Sequence, residues 1–350
     1  MADAVIASRK PFYRDLQVGR TYLWCACGRS KRQPFCDGRS HEGTGIEPVR
    51  YTCTAEGEEA LFCGCKQTAT PPFCDGTHSN LPGGYGEEQD TPEDLPWAES
   101  DAAGVRVLDG HCYVIRADAT RPADAPDWWC RTIVSTDMGA QHQAQFYAEL
   151  QRGQSPVLAS AAGDVVLWTV EGAGEIEISG RRFPIARDTG VYVRGGEAFR
   201  LEQAGTDRLA VHIHACPATP SLDICDAMPD NFDAAWPYRL AIVDESQRHA
   251  MGPRYFQMLV DKRIGSATAT QFIGHIPQSK AEMHRHLYEE ALVILSGDGV
   301  IWNDGARARV AAGDVIFFPR KHRHSLQCTA TEGMNVVGLI HPGDNPGINY

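Results

Sequence analysis

No apolar run in this 350-residue chain approaches the roughly 18 residues that a membrane span needs, so no membrane partner is expected. The opening residues, MADAVIASRKPFYRDL, lack the apolar h-region of a secretory leader, which sets a cytoplasmic expectation. No GxGxxG follows a strand, and with it goes any built-in nicotinamide or flavin site. Cations are in deficit, 33 Lys and Arg against 45 Asp and Glu, a formal charge of −12. Sequence-independent nucleic-acid binding rests on basic neutralisation of phosphate, so no nucleic-acid partner is expected. Helical patterning is scarce, with short turns of helix expected only near 221–233 and 242–250. A composition 43% hydrophobic and 22% charged excludes a mostly disordered or collagenous chain, and the length predicts two or three domains.

Twelve cysteines are too few for a disulfide scaffold, but their distribution is uneven. Cys25, Cys27, Cys36, Cys53, Cys63, Cys65 and Cys74 crowd one short stretch, while Cys112, Cys130, Cys216, Cys225 and Cys328 are scattered. In a cytosolic chain such a cluster points to metal rather than disulfides. The cluster is a repeat: CACGRSKRQPFCDGRSH runs from Cys25 to His41 and CGCKQTATPPFCDGTH from Cys63 to His78. Three thiolates and an imidazole can hold a tetrahedral zinc. C-x-C is tighter than the usual zinc spacing, however, and two same-face thiolates on an extended segment suit one iron of a dinuclear cluster. The later Cys and His would hold the second iron, and an imidazole in place of a thiolate raises a cluster's potential.

These residues resemble the CDGSH, or mitoNEET-type, iron–sulfur domain, in the branch with two motifs in one chain. The resemblance implies two [2Fe–2S] clusters, one on Cys25, Cys27, Cys36 and His41, the other on Cys63, Cys65, Cys74 and His78. His78 lies four residues after Cys74 as the family has it. His41 lies five after Cys36, because Arg39 is inserted, and its place as a ligand is the less secure of the two. Asp37 and Asp75 read as caps of the following turn rather than as ligands.

Next comes an acidic stretch rich in Gly and Pro, SNLPGGYGEEQDTPEDLPWAESDAAG, read as an exposed linker. From about Gly104 onward the pattern is short strands and turns. Strand Val165–Val170, a turn at Gly172 and strand Glu175–Ile178 form one unit. Strand Ala291–Leu295, a turn at Gly297 and strand Val300–Trp302 form another. Apolar strands starting at Gly190 and Gly313 follow, and Asn303-Asp304-Gly305 is a hairpin turn. The same order twice predicts an internal duplication of β-sandwiches or barrels. The fold class expected is mainly β, a small β-rich iron–sulfur domain followed by two jelly-roll barrels. Boundaries are set at 1–80, a linker at 81–103, and barrels at 104–222 and 223–350.

His284-Arg-His286 places two imidazoles on one face of an extended segment, with Glu290 in the same parity and Glu289 facing away. The full pattern, H-x-H-x₃-E-x₆-G and then G-x₅-P-x₄-H, resembles the two-part signature of the cupin family. It implies a metal held by His284, His286, Glu290 and His324, with His322 a neighbour. This donor set suits Fe(II), Mn, Ni, Zn or Cu. In the first copy the equivalent positions are Ala159, Ala161, Val165 and Phe199, none a metal ligand, and His212 and His214 match no motif.

A fold alone does not fix function. An iron–sulfur unit beside a mononuclear metal site favours a non-haem iron oxygenase. It would act on a small-molecule substrate with O2, at Fe(II) in the second barrel, and two [2Fe–2S] clusters loaded by an external electron donor would supply electrons. His275 and Tyr288 are candidates for lining the pocket or moving protons. The alternatives are a bicupin dioxygenase with structural or regulatory clusters and a non-enzymatic redox or iron–sulfur sensor. A homodimer with clusters and iron paired across the subunit boundary is expected.

Overall fold

In the computed structural model the described residues are 3–82, 92–160, 163–218 and 221–350. The fold is almost entirely β, as the sequence predicts. Sheet periodicity places each strand in its layer. In Ala173–Ile178 only alternate residues are buried, Ile176 and Ile178 inward and Glu175 and Glu177 outward, as in a sheet with one wet face. Asp164–Glu171 has no such alternation because both its faces are covered. Val165 and Leu167 point into the first barrel, while Val166 and Trp168 point into a second apolar layer.

Four sheets build the two barrels. Residues 240–242, 189–193, 164–171, 209–216, 144–150 and 128–134 form a six-stranded sheet in that order. It closes on a five-stranded sheet, Arg181–Ala186, Ala173–Ile178, Ala198–Gln203, Val157–Ala159 and Asp223–Cys225. The second barrel pairs an eight-stranded sheet with a four-stranded one. The eight run 249–251, 254–258, 270–276, 334–341, 289–296, 314–318, 112–116 and 105–109. The large sheets of the two barrels then pack on each other, with Trp168, Tyr192 and Tyr147 from one meeting Val293, Phe317 and Leu339 from the other. Gly172 and Gly297, at φ +80° and +82°, turn the chain from one sheet to the other. An added Cβ there would lie 2.2 Å from Arg208 O and 2.5 Å from Gly333 O, so neither corner tolerates a side chain.

Three expectations are corrected. The boundary between residues 222 and 223 does not separate the sheets. Cys112–Arg116 pairs with Asp314–Phe318 in the second barrel, while Asp223–Cys225 and Leu240–Ile242 pair with strands of the first. Each copy thus covers an open edge of the other, which satisfies edge N–H and C=O groups. The helical turns near 221–233 are absent; that region holds the strand Asp223–Cys225, and 242–250 has a single 3₁₀ turn, Glu245–Gln247. The third concerns the linker, of which 83–91 lies outside the described residues. Its end is tied down: the Arg307 guanidinium donates to Pro92 O and Glu93 O, and Ala98 N donates to Arg307 O at 2.8 Å.

The N-terminal unit holds two small two-stranded sheets, Phe12–Asp15 with Glu59–Phe62 and Thr21–Trp24 with Val49–Thr52. It docks on the second barrel of its own chain. Glu59 meets Arg320 at 2.8 Å and also Lys321. Tyr13 stacks on Tyr350 with ring centroids 5.5 Å apart, and Lys10 pairs with Glu282 at 2.7 Å. Among the described residues no helix is long and apolar enough to cross a membrane.

Candidate metal centres

Each repeat of the N-terminal unit makes the same construction. A strand delivers the C-x-C pair, and a bridge from its last residue, Trp24 to Phe35 or Phe62 to Phe73, brings the Cys-Asp-Gly turn back beside it. Asp37 and Asp75 cap that turn by accepting backbone N–H groups of residues two or three ahead. The Sγ atoms of Cys25 and Cys27 are 3.6 Å apart, and those of Cys63 and Cys65 are 3.5 Å apart. Cys36 Sγ lies 3.3 Å from His41 Nδ1, and Cys74 Sγ lies 3.3 Å from His78 Nδ1. The extra residue Arg39 is therefore absorbed in the loop without spreading the first Cys–His pair.

These spacings test what the motifs can hold. A tetrahedral ion with bonds of about 2.3 Å to sulfur and about 2.05 Å to nitrogen holds two thiolates about 3.8 Å apart and a thiolate and imidazole about 3.5 Å apart. All four pairs come close to that. Within each motif the donors group as two grasping pairs. Two pairs fit the two irons of a dinuclear cluster; a single zinc would need the four donors on one point.

Lys66 sits between the two motifs. It is 8% exposed, donates from Nζ to Cys63 O at 2.9 Å and lies over the Trp24 ring at 4.6 Å. The Trp24 indole donates to the same Cys63 carbonyl at 3.0 Å. Burial lowers the Lys66 ammonium below the ordinary lysine value, against the pull of thiolates at Cys25, Cys63, Cys65 and Cys27. The repeat marks this residue only as the one after the second C-x-C; its position between the motifs comes from the fold.

In the second barrel the antiparallel bridge between His284 and His324 sets two imidazoles side by side, with ring centroids 4.5 Å apart. His286 follows at 5.0 Å from His324, and Glu290 enters from the strand Glu289–Ser296. Each ring has Nδ1 at 2.8 Å from a backbone carbonyl, of Glu282, Tyr288 and His322 respectively for His284, His286 and His324. A carbonyl only accepts, so the proton sits on Nδ1 and the Nε2 lone pair is left bare. His286 Nε2 is buried with no hydrogen-bond partner, 3.2 Å from Glu290 Oε2. Two lone-pair atoms that close call for a cation between them. Ligand bonds near 2.1 Å give about 3.0 Å at a right angle and about 3.4 Å at a tetrahedral one, which brackets the observed gap. Burial holds His284 neutral, its value lowered to about 3, and puts His324 well below the ordinary range. The donor set therefore fits a first-row divalent ion, with the cavity side open.

That cavity, about 710 Å³ counting its mouth, is walled by Phe256, Phe272, Leu292, Phe318, Leu326 and Val336. Tyr288 belongs to it: its ring stacks on His286 at 4.1 Å and its hydroxyl donates to Pro346 O at 3.0 Å. Burial raises its phenol well above the usual value, so it remains a proton donor. His275 does not join the ligands. It does border the cavity, as the sequence suggested, with its ring stacked on Tyr255 at 5.3 Å and bonded to Asn335 at 2.9 Å. His322 bonds to Asn303 at 3.1 Å and stays a neighbour. Glu289 faces away, accepting the backbone N–H groups of Gln141 and His142.

The sequence reading missed two features. Arg254 is the one Lys or Arg in the cavity wall among the described residues; a buried charge opening the apolar strand RYFQM was the available signal. The C-terminal tail joins the two kinds of site. Asn349 and Pro346 line the cavity, the Asn349 side chain reaches His78, Asn345 Nδ2 donates to Asp75 O at 3.1 Å, and Ile348 packs with Cys74.

Among the described residues the first barrel holds no such site. Val165 and Phe199 are fully buried in its apolar filling, Ala159 pairs with Ala198, and Ala161 lies outside the described residues. His212 and His214 point between the barrels rather than into one, with Gln145 Nε2 at 2.9 Å from His212 Nδ1.

Residues 275–340 match the cupin domain family. A 52-residue stretch is 50% identical to CDGSH iron-sulfur domain-containing protein 3, mitochondrial, of Homo sapiens, covering 14% of this chain and 40% of that protein. The match to the Mus musculus protein of the same name is also 50% identical and covers 37% of it. The chain thus spans well under half the length of these curated relatives. Among solved structures, a salicylate 1,2-dioxygenase variant of Pseudoaminobacter salicylatoxidans in complex with gentisate superposes with a TM-score of 0.52 at 11% identity, covering 71% of this chain and 84% of that one. Protein Ylba of E. coli superposes with a TM-score of 0.51 at 14% identity, covering 71% and 95%. At such identities the likeness is one of fold.

Proposed function

We propose that this chain, a CDGSH-type iron–sulfur segment joined to a bicupin, is a non-haem iron oxygenase whose two kinds of centre work together. Supporting it is one observation: the tail that covers Cys74 and His78 also lines the cavity whose wall carries His284, His286, Glu290 and His324. His284, His286, Glu290 and His324 would hold iron, and the two Cys₃His sets would hold [2Fe–2S] clusters. When bound, the iron would supply O2 activation and the clusters the electrons it consumes.

The protein's own residues have definite parts. The three carbonyls on Nδ1 fix the tautomer and aim of each imidazole. The apolar wall excludes water and suits a small molecule with an apolar body. Arg254 gives that wall a guanidinium, so an organic anion is the substrate class we favour. Tyr288, held protonated by burial and oriented by Pro346 O, is a proton donor in the cavity wall.

Metal analysis and turnover test this reading. The purified protein should contain about four iron atoms and four acid-labile sulfides in the N-terminal unit, plus one further metal. Glu290→Ala or His286→Ala should remove that metal and the activity while leaving the visible cluster spectrum. Cys74→Ser should keep the cupin metal and abolish multiple turnover. Full turnover in Cys74→Ser would support instead a dioxygenase whose substrate supplies all the electrons.

A further inference from the structure

The two cysteine motifs have different surroundings. The second is enclosed: His78 is 4% exposed and Cys74 8%, and the turn at Gly76 runs against Gly347, whose carbonyl oxygen would lie 3.4 Å from an added Cβ. The first faces outward. Cys36 and His41 are both partly exposed. Among the described residues no hydrogen bond or ion pair ties the loop from Arg29 to Glu47 to either barrel.

Charge separates the motifs further. Between Cys25 and His41 stand Arg29, Lys31, Arg32 and Arg39 against the single acid Asp37; between Cys63 and His78 stand only Lys66 and Asp75. All four cations of the first loop are exposed, and none makes an ion pair among the described residues. Arg29 donates only to the Asp3 carbonyl. Four unpaired cations stand beside one partly exposed ligand set, and with Asp37, Glu42 and Glu47 counted the loop from Arg29 to Glu47 stays positive in a chain of charge −12. Such a patch steers and orients an oppositely charged protein. Trp24, the residue before Cys25, then leads inward through its hydrogen bond to Cys63 O.

We propose that the loop from Arg29 to His41 is the docking face for an acidic one-electron carrier protein, so that the first motif is the entry and the second, against the cavity, the exit. This rests on the reading that both motifs hold clusters. At the entry the carrier's reduced centre loses one electron and the first cluster gains it; no bond forms or breaks. The same electron then passes to the second cluster, leaving the first oxidised and ready for another.

The test uses the full-length protein with its clusters in place and stopped-flow absorbance. Reduced plant-type ferredoxin, an acidic carrier with a potential near −400 mV, is one reductant; the methyl viologen radical cation is the other. In Lys31→Glu/Arg32→Glu/Arg39→Glu the second-order rate with ferredoxin at low ionic strength should fall at least tenfold. The loss should disappear near 1 M salt, where the Debye length is about 3 Å. With viologen the rate should hold or rise. Lys31→Gln/Arg32→Gln, milder near Cys36, should give a smaller loss in the same direction, and its unchanged visible spectrum would show intact clusters. Arg152→Glu/Arg187→Glu, on the exposed barrel surface, should leave both rates alone.

Equal ferredoxin rates in wild type and triple variant overturn the proposal, as does an equal loss in the barrel variant. Self-association abolished by the triple variant, with the ferredoxin rate unchanged, would give the patch to a second copy of the chain and also overturn it. Absence of cluster absorbance removes the proposed function and this inference together, whereas normal clusters with equal rates remove this inference alone.

Discussion

Replacing Lys66 by methionine should lower the reduction potential of the two proposed iron–sulfur centres by on the order of 100 mV. The ammonium is buried, bonded to the carbonyl of one cluster ligand and close enough to feel the thiolates of both motifs. Reduction adds a negative charge to a cluster, and a fixed cation nearby stabilises that added charge. At a separation of roughly 6 Å and an effective dielectric near 20 the gain is about 3 kcal/mol. For a one-electron couple, at about 59 mV for each 1.4 kcal/mol, this is about 120 mV. Methionine keeps the length and much of the packing of the side chain against the Phe12 and Trp24 rings and removes the charge. It also leaves Cys63 O with its Trp24 donor, so no carbonyl is stranded. The position has φ +65°, a conformation equally unfavourable for lysine and methionine, so backbone strain cancels in the comparison. Potentiometric titration followed by visible absorbance and electron paramagnetic resonance gives the potential of each cluster, and Lys66→Arg should retain most of the wild-type value. A shift under about 20 mV, or a full shift in one cluster with none in the other, would refute the placement of this charge between the two motifs.

Three further outcomes are expected. Removing residues 345–350 uncovers Cys74 and His78, so one of two cluster signals should decay several-fold faster while the other keeps its half-life; equal decay would mean the tail shields neither. Arg239 is fully buried and forked onto Glu197, and Arg239→Met should destabilise the first barrel by about 3–5 kcal/mol because the carboxylate is left unpaired, which chemical denaturation reads directly. His212 and His214 are lowered by burial to about 3, against about 6.5 when unfolded, so the folded chain binds fewer protons between those values. Their stabilisation is complete above pH 6.5 and is lost as pH falls toward 3, by about 2 kcal/mol for each histidine at pH 5. The protein with both replaced by glutamine should show a flatter decline of melting temperature between pH 6.5 and 4.5, and an unchanged slope would contradict the burial argument.

The sequence by itself determined what rests on local order. Strand periodicity and glycine corners located most barrel strands, since alternation and turn chemistry act over a few residues. The doubled C-x-C and Cys-Asp-Gly pattern and the H-x-H, Glu and His spacing named the candidate ligands, because donors to one metal must recur at fixed intervals along a strand or turn. The tertiary structure decided what depends on partners distant in the chain. Continuous apolar strands such as 164–171 read as buried, but only the packing of two sheets shows which face meets which core. Cys112–Arg116 carries no mark that it pairs with Asp314–Phe318, because a sheet's hydrogen bonds run between backbones and leave no side-chain signature. His275 borders the cavity as expected, but its bond to Asn335 comes from the neighbouring strand and has no sequence signal. Arg254 enters the cavity wall, Lys66 lies between the two motifs, and the tail from Asn345 to Tyr350 covers Cys74. Each of these is set by how the domains pack, and packing is a property of surfaces brought together by the whole chain.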